Sequence, residues 1–331
     1  MDDLCEILPL TPPQASMLYN MLAHPESSLY TEQWRYRLHG VIDSAALRRA
    51  WEMVLHQHPT LRGVFRLAGL ERPVFVVQKR APACFTLLDC SSTDLDALAQ
   101  TLYSRPVRLS RCPIRMSAAV TGPCSCELIV DSNNLLFDGW SNAILMRDFF
   151  ESYLALTGQK EPHTLPIDPG LAVYLQQERL ERARPAHAAF WRTYLSGISL
   201  TTISRSKAGP LSTMTFSFSR GLLDSLHHFC QMYSFQKALV LHIAFALALG
   251  PPSAGDLLTG ITCAGRHLTG VPSIEQLVGP LIRTVPLRIP IHSGGSILQV
   301  LRQVHDGFQQ VQKHLYLDLA FWHQILPGLP E

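Results

Sequence analysis

The sequence predicts a mixed α/β (α+β) fold in two domains. Segments with the helical period of about 3.6 residues alternate along the chain with short segments of period two, which interleaves helices with strands. A chain of 331 residues has room for about two domains of roughly 150 residues. Apolar residues make up 47% and charged residues 16%, a globular composition that excludes wholesale disorder.

The elements follow in chain order. Pro12-Pro13 ahead of Gln14-Ala15-Ser16-Met17 starts a helix, because proline is tolerated in the first turn. Residues 33–38 alternate bulky and polar side chains, as a strand does. Asp43-Ser44 caps a helix whose Leu47, Ala50, Trp51, Val54 and Leu55 share one face. A strand over 73–78 and a short helix over 95–103 come next. Strands over 114–120 and 126–131 are joined by a turn at Thr121-Gly122-Pro123. A helix over 140–156 then turns Ile144, Leu145, Phe149 and Tyr153 inward. Residues 157–170, with Pro162, Pro166 and Pro169, form the best candidate linker between domains. Beyond it a helix over 173–195 carries Glu178, Arg179, Glu181, Arg182 and Arg184 on its wet face. A strand over 214–218, helices over 221–232 and 235–249, strands over 257–263 and 285–291, and an amphipathic helix over 296–315 complete the reading.

Charge and cysteine placement exclude several functions. With 28 basic and 26 acidic residues the net charge is +2, so no large basic footprint for nucleic acid is expected. Met1-Asp2-Asp3-Leu4 opens neither a basic nor an apolar leader, and the most apolar segment, 238–249, is too short to span a membrane. The eight cysteines are scattered. Cys124-Ser125-Cys126 lacks zinc-knuckle spacing, so reduced thiols in a cytoplasmic protein without a metal site are expected.

Asn133-Asn134-Leu135-Leu136-Phe137-Asp138-Gly139 joins a predicted strand to a predicted helix, the kind of loop that displays reactive groups. Asp138 can cap that helix, pair with a cation, or form an ordinary Asp-Gly turn, while Gly139 permits the turn. This loop resembles the His-His-x-x-x-Asp-Gly signature of the condensation domains of nonribosomal peptide synthetases, and Trp140-Ser141 follow as they often do there. Other segments resemble that family's motifs in the right order. They are Leu8-Pro9-Leu10-Thr11-Pro12-Pro13-Gln14, His58-Pro59-Thr60-Leu61-Arg62-Gly63-Val64-Phe65, Phe190-Trp191, Gly260-Ile261-Thr262-Cys263-Ala264-Gly265-Arg266, and the segment from Val278 to Arg288.

The resemblance implies two chloramphenicol acetyltransferase-like lobes, 1–160 and 171–331, in a V-shaped pseudo-dimer with a tunnel between them. Carrier proteins upstream and downstream would deliver thioesters on phosphopantetheine arms to a monomeric domain that binds no cofactor of its own. An acceptor amine would attack the donor thioester to form an amide. The second signature His is the residue that orients or deprotonates the amine, a task that suits an imidazole because it titrates near neutral pH. The signature Asp is structural and pairs in the family with an arginine that maps to Arg266. Arg62 is an alternative partner, and it can equally be a cation at a helix C-terminus. The family's late Arg-Asp-x-Ser-Arg-Asn-Pro-Leu-like run is absent, which predicts an incomplete second lobe.

One departure stands out. The two histidine positions are Asn133 and Asn134, and an asparagine amide cannot take a proton near neutral pH. Losing a positioned base removes about 10²–10⁴-fold of rate. The cyclising subfamily's Asp-x-x-x-x-Asp is not matched either, since Asn133 stands at its first Asp, although Asp131 lies nearby. Impaired amide formation, or a silent platform for carrier proteins or a tailoring enzyme, is therefore expected. His267 beside Arg266 is the one other histidine worth testing as a substitute.

Overall fold

A computed structural model describes residues 4–25, 28–67, 69–91, 94–105, 107–161, 167–198, 215–249, 256–291, 295–317 and 319–325. Two compact units emerge, residues 1–183 with 264–282, and residues 184–263 with 283–331.

In the first unit, strand β1 (Leu4–Pro9) leads into helix α1 (Pro12–Ala23). Thr11 caps α1 in a reciprocal box with Gln14. Strand β2 (Thr31–His39) follows, then helix α2 (Ser44–Gln57), capped by Asp43 and burying the predicted stripe from Leu47 to Leu55. Three short strands come next, β3 (Gly63–Arg66), β4 (Val74–Gln78) and β5 (Phe85–Asp89). Helix α3 (Leu95–Tyr103) precedes the hairpin of β6 (Ile114–Gly122) and β7 (Ser125–Asn133). Helix α4 (Gly139–Leu156) then packs on α2.

The strands form a three-stranded sheet in the order β1-β4-β3 and a four-stranded sheet in the order β2-β7-β6-β5. In the second sheet β5 runs parallel to β6 and the other pairs are antiparallel. Trp51, Phe65, Phe75, Phe137 and Phe149 are fully buried in this unit. Each such side chain contributes about 1.5–3 kcal/mol of apolar burial. Gly63 faces the Phe75 ring so closely that a Cβ would fall 1.8 Å from its Cζ, so only glycine fits there.

The first unit also takes in helix α5 (Leu171–Arg182). The second unit opens with helix α6 (Pro185–Tyr194), then α7 (Arg220–Tyr233), α8 (Lys237–Leu249), strands β8 (Leu257–Cys263) and β9 (Arg283–Ile289) as an antiparallel pair, α9 (Ile297–Val311), and α10 (Leu319–Ile325).

Several predicted features differ in the structure. The helix expected over 173–195 is two helices, broken where Arg184 precedes Pro185, because a residue before proline is pushed out of the helical region. Its Glu178 is buried rather than wet. Residues 215–219 form no strand despite their alternation, and Phe216 and Phe218 are exposed there; Met214 lies outside the described residues. The compact units divide after Ala183 and not within 157–170, of which 162–166 lie outside the described residues. Residues 264–282 return to the first unit. Cys84 and Cys112 form a disulfide where eight thiols were expected. The parallel pairing of β5 with β6 brings them together across 28 residues of sequence, as the Met116 N–H donating to Cys84 O shows. Among the described residues no single helix is long and apolar enough to cross a membrane, though α7 and α8, bent by 111°, pass that test as a pair.

Candidate active site

The loop after β7 is fastened at every position. Asn133 is buried, and its Oδ1 accepts from Leu135 N at 3.0 Å, closing a tight Asx turn. Asn134 N donates to Tyr30 O at 2.8 Å. Gln14 of α1 donates its side-chain amide to Leu135 O at 2.8 Å, which ties the first sequence motif to this loop. Leu135, Leu136 and Phe137 are buried, and the Phe137 ring stacks on Trp34 with centroids 5.5 Å apart.

Asp138 anchors the loop's end. Its carboxylate accepts six hydrogen bonds, from Ser141 N and Oγ, Arg266 Nη1 and Nη2, Leu281 N and Ile282 N, at 2.8–3.0 Å. The fork-to-fork Arg266 pair offsets the desolvation that would make a lone buried carboxylate costly. The Arg266 guanidinium also lies 5.3 Å from the centre of the Trp140 ring, and Trp140 donates to Glu275 O at 3.1 Å. Gly265 adopts φ +67, and a Cβ there would fall 1.9 Å from Leu281 O, so glycine alone lets these two backbone segments meet.

The structure thus brings Asn133, Asn134, Asp138 and Arg266 into one cluster. Arg62 stands apart from it and donates to Leu55 O and Gln78 O, both at 3.0 Å, as a cation at the α2 C-terminus. Gly139 heads α4 with no positive φ, and a Cβ there would meet nothing within 4 Å, so the turn does not demand glycine as expected. His267 is exposed while its neighbour Arg266 is buried, and His227 and His228 are exposed on α7.

A second buried cluster braces the first. His58 Nδ1 lies 2.8 Å from Asp168 and Nε2 lies 3.0 Å from Asp148 on α4. Burial lowers the His58 pKa, but the hydrogen bonds and charges of both carboxylates outweigh it and leave the pKa raised. Burial raises Asp148, and the bonds from His58 and Arg147 outweigh that and leave it lowered. Asp168 also accepts from Val278 N at 3.3 Å, and Thr60 donates to Val278 O at 2.7 Å. The second sequence motif therefore grips the segment that delivers Arg266.

Sequence reading missed Glu32. On β2 it is half-buried and pairs with Ser132 of β7. Burial raises its pKa, the Asn134 side chain lowers it, and the Asp138 charge raises it, with a net rise. Only the β2–β7 register reveals this, and a single glutamate in an alternating strand gives no sequence signal. Asp131 is on the other face of β7, held by Arg115 at 2.8 Å and Gln33 at 2.8 Å. Asn134 Oδ1 is buried with no partner among the described residues.

Comparisons with known proteins bear on this site. The Condensation domain family model matches residues 5–323. A linear gramicidin synthase from Brevibacillus parabrevis is 27% identical over 327 residues, covering 95% of this chain and 6% of that protein. Chondramide synthase cmdD of Chondromyces crocatus is 30% identical over 333 residues, covering 91% and 8%. The chain thus spans less than a tenth of the length of these relatives. Among solved structures, the first condensation domain of the calcium-dependent antibiotic synthetase, with a substrate analogue, matches with a TM-score of 0.80 at 18% identity, covering 99% of this chain and 80% of that one. The X-domain in complex with OxyB from teicoplanin biosynthesis matches at 0.78 and 22%, covering 99% and 74%. At these identities the structural likeness shows the fold.

Proposed function

From the premise that this chain belongs to the condensation-domain family, as the match over residues 5–323 shows, we propose that it joins a carrier-bound acyl or peptidyl thioester to an acceptor amine in nonribosomal peptide assembly. The reading places the work in the cytoplasm, with phosphopantetheine arms of upstream and downstream carrier proteins presenting both substrates. The observation that carries it is the loop held between Gln14 and the Asp138–Arg266 pair, which presents residue 134 at the signature position. Asn134 can orient an amine or a carbonyl through its amide, but it cannot be the base. Proximity of two tethered substrates still accelerates the reaction, at a rate below that of a histidine-bearing relative.

The test supplies two loaded carrier proteins and follows the condensed product by mass spectrometry. Asn134→His should raise turnover, by up to about 10²–10⁴-fold where no other group takes the proton. A wild type that already condenses at the rate of a histidine-bearing domain, with Asn134→Ala unchanged, refutes the impaired reading.

A second reading has specific support. The supports around the loop are intact while the base is missing, which suits a docking platform. The X-domain solved with OxyB, a partner protein, has the same fold. Absence of product from both wild type and Asn134→His, with retained binding to a carrier protein, favours the platform.

A further inference from the structure

The Cys84–Cys112 disulfide has no part in the site described above. It joins the residue ahead of β5 to the loop that leads into β6. Both cysteines are half-buried, so the bond is within reach of solvent. Cys90, Cys126, Cys230 and Cys263 are buried instead, and burial pushes the Cys126 and Cys263 thiols up to about 11, where they stay protonated and inert. The pair also has a basic setting. Arg62 and Arg111 line the small cleft that Cys112 opens into, with no acidic residue among the described residues lining it, and Lys79-Arg80 and Arg108 lie close in sequence.

The backbone holds both cysteines in place independently of the bond. Cys84 adopts φ +43, a left-handed conformation that an L-residue keeps only where its surroundings fix it. Here the Trp51 indole donates to Ala83 O at 2.6 Å, and Met116 N donates to Cys84 O at 3.0 Å. Cys112 N donates to Arg108 O at 2.8 Å, and Phe65 N donates to Leu109 O at 2.9 Å, which pins the loop to β3. Ile114 O lies 2.9 Å from Cys112 Sγ and can accept from the thiol once the bond is open.

We propose that Cys84 and Cys112 form a reversible thiol–disulfide site that exchanges with a small anionic thiol of the glutathione class, and that its oxidised form locks strand β5 to the loop before β6. This rests on the cytoplasmic placement proposed above, where thiol pools keep most cysteines reduced and a paired cysteine acts as a switch. It does not rest on the condensation chemistry. Basic neighbours favour the thiolate and draw in an anionic thiol.

The exchange balances. The small thiolate attacks Cys112 Sγ and forms a mixed disulfide there. The Cys84–Cys112 bond breaks with its electron pair on Cys84 Sγ, which takes a proton. A second small thiolate attacks the outer sulfur of the mixed disulfide and releases Cys112 as a thiolate. The protein disulfide is reduced to two thiols while two small thiols are oxidised to their disulfide, and the reverse sequence closes the bond.

The test equilibrates the chain at a series of reduced-to-oxidised glutathione ratios and reads free thiols by alkylation of the native protein and mass spectrometry. Cys84 and Cys112 should pass together from alkylated to bonded as oxidised glutathione increases, while the four buried cysteines stay unlabelled until the chain unfolds. The oxidised form should melt about 5–15 °C above the reduced form, because the bond spans a sequence separation of 28 and restricts the unfolded chain. Cys84→Ser and Cys112→Ser should each melt like the reduced wild type at every ratio. A pair that stays bonded in reduced glutathione alone is a permanent staple and overturns the proposal. A pair that stays open in oxidised glutathione alone, or a melting temperature that ignores the ratio, overturns it as well. No carrier protein enters this assay, so failed condensation beside an intact redox response sinks only the condensation reading.

Discussion

Asp138→Asn tests the core of the site. The substitution keeps the shape but places an amide NH₂ where one carboxylate oxygen stood. With the NH₂ at the Oδ2 position, it would face Arg266 Nη1, Leu281 N and Ile282 N, three donors with nothing to accept. Each buried unmet group costs about 1–3 kcal/mol, but the three share one site and do not add. The larger effect is the Arg266 guanidinium, whose side chain is 3% exposed and would lose its counter-charge. Stripping one partner from a buried pair costs about 3–5 kcal/mol. At roughly 2–4 °C per kcal/mol for a unit of this size, the midpoint should fall by about 6–20 °C in a thermal melt. Arg266→Gln should show a similar loss, and the double variant should cost less than the sum, by up to about 3 kcal/mol. A single variant melting within about 2 °C of wild type, or strict additivity, would refute the claim that this pair fastens residues 264–282 to the loop.

Two further outcomes follow. His58 has a raised folded pKa, so its contribution is full below its unfolded pKa and is lost as pH rises through the folded value. Asp148 is lowered, so its contribution is lost as pH falls through its folded value. Melting temperature should therefore fall on both sides of a plateau when scanned from about pH 3 to 9, and His58→Gln should lower the plateau and abolish the alkaline fall; an unchanged alkaline limb in that variant would count against the pairing. Gly265→Ala must displace Leu281 O from a 1.9 Å overlap, and should lower stability by more than about 1 kcal/mol while Gly139→Ala, in open space, does not.

How legible was this in the sequence? Elements with local signals were plain. Thr11, Pro12 and Gln14 mark the start of α1, Asp43 caps α2, and a turn was expected at 121–123 for the β6–β7 hairpin, which the structure places at Pro123-Cys124 because β6 runs on through Gly122. The Asp138–Arg266 contact came from family resemblance, since a separation of 128 residues leaves no local trace. Strands β1, β3 and β5 escaped notice because they are four to six residues long and their pairing partners lie far along the chain or carry the pattern for them. The phenylalanine alternation at 216 and 218 misled for the converse reason, since a pattern makes a strand only when an edge is there to pair with it. Glu32 was invisible because its meaning lies in register, and a shift of one residue would have turned it to the opposite face.

The return of residues 264–282 to the first unit has a consequence during synthesis. Ribosomes add about 5–20 residues per second, so the 128 residues between Asp138 and Arg266 take roughly 6–25 s to make. Over that interval the nascent first unit holds a capping carboxylate without its counter-charge and lacks the strap that Asp168 and Thr60 later grip. The first unit cannot mature as an independent N-terminal piece. A cut at Ala183 would part this unit from residues 264–282, which belong to it and whose Ile282 N donates to Asp138.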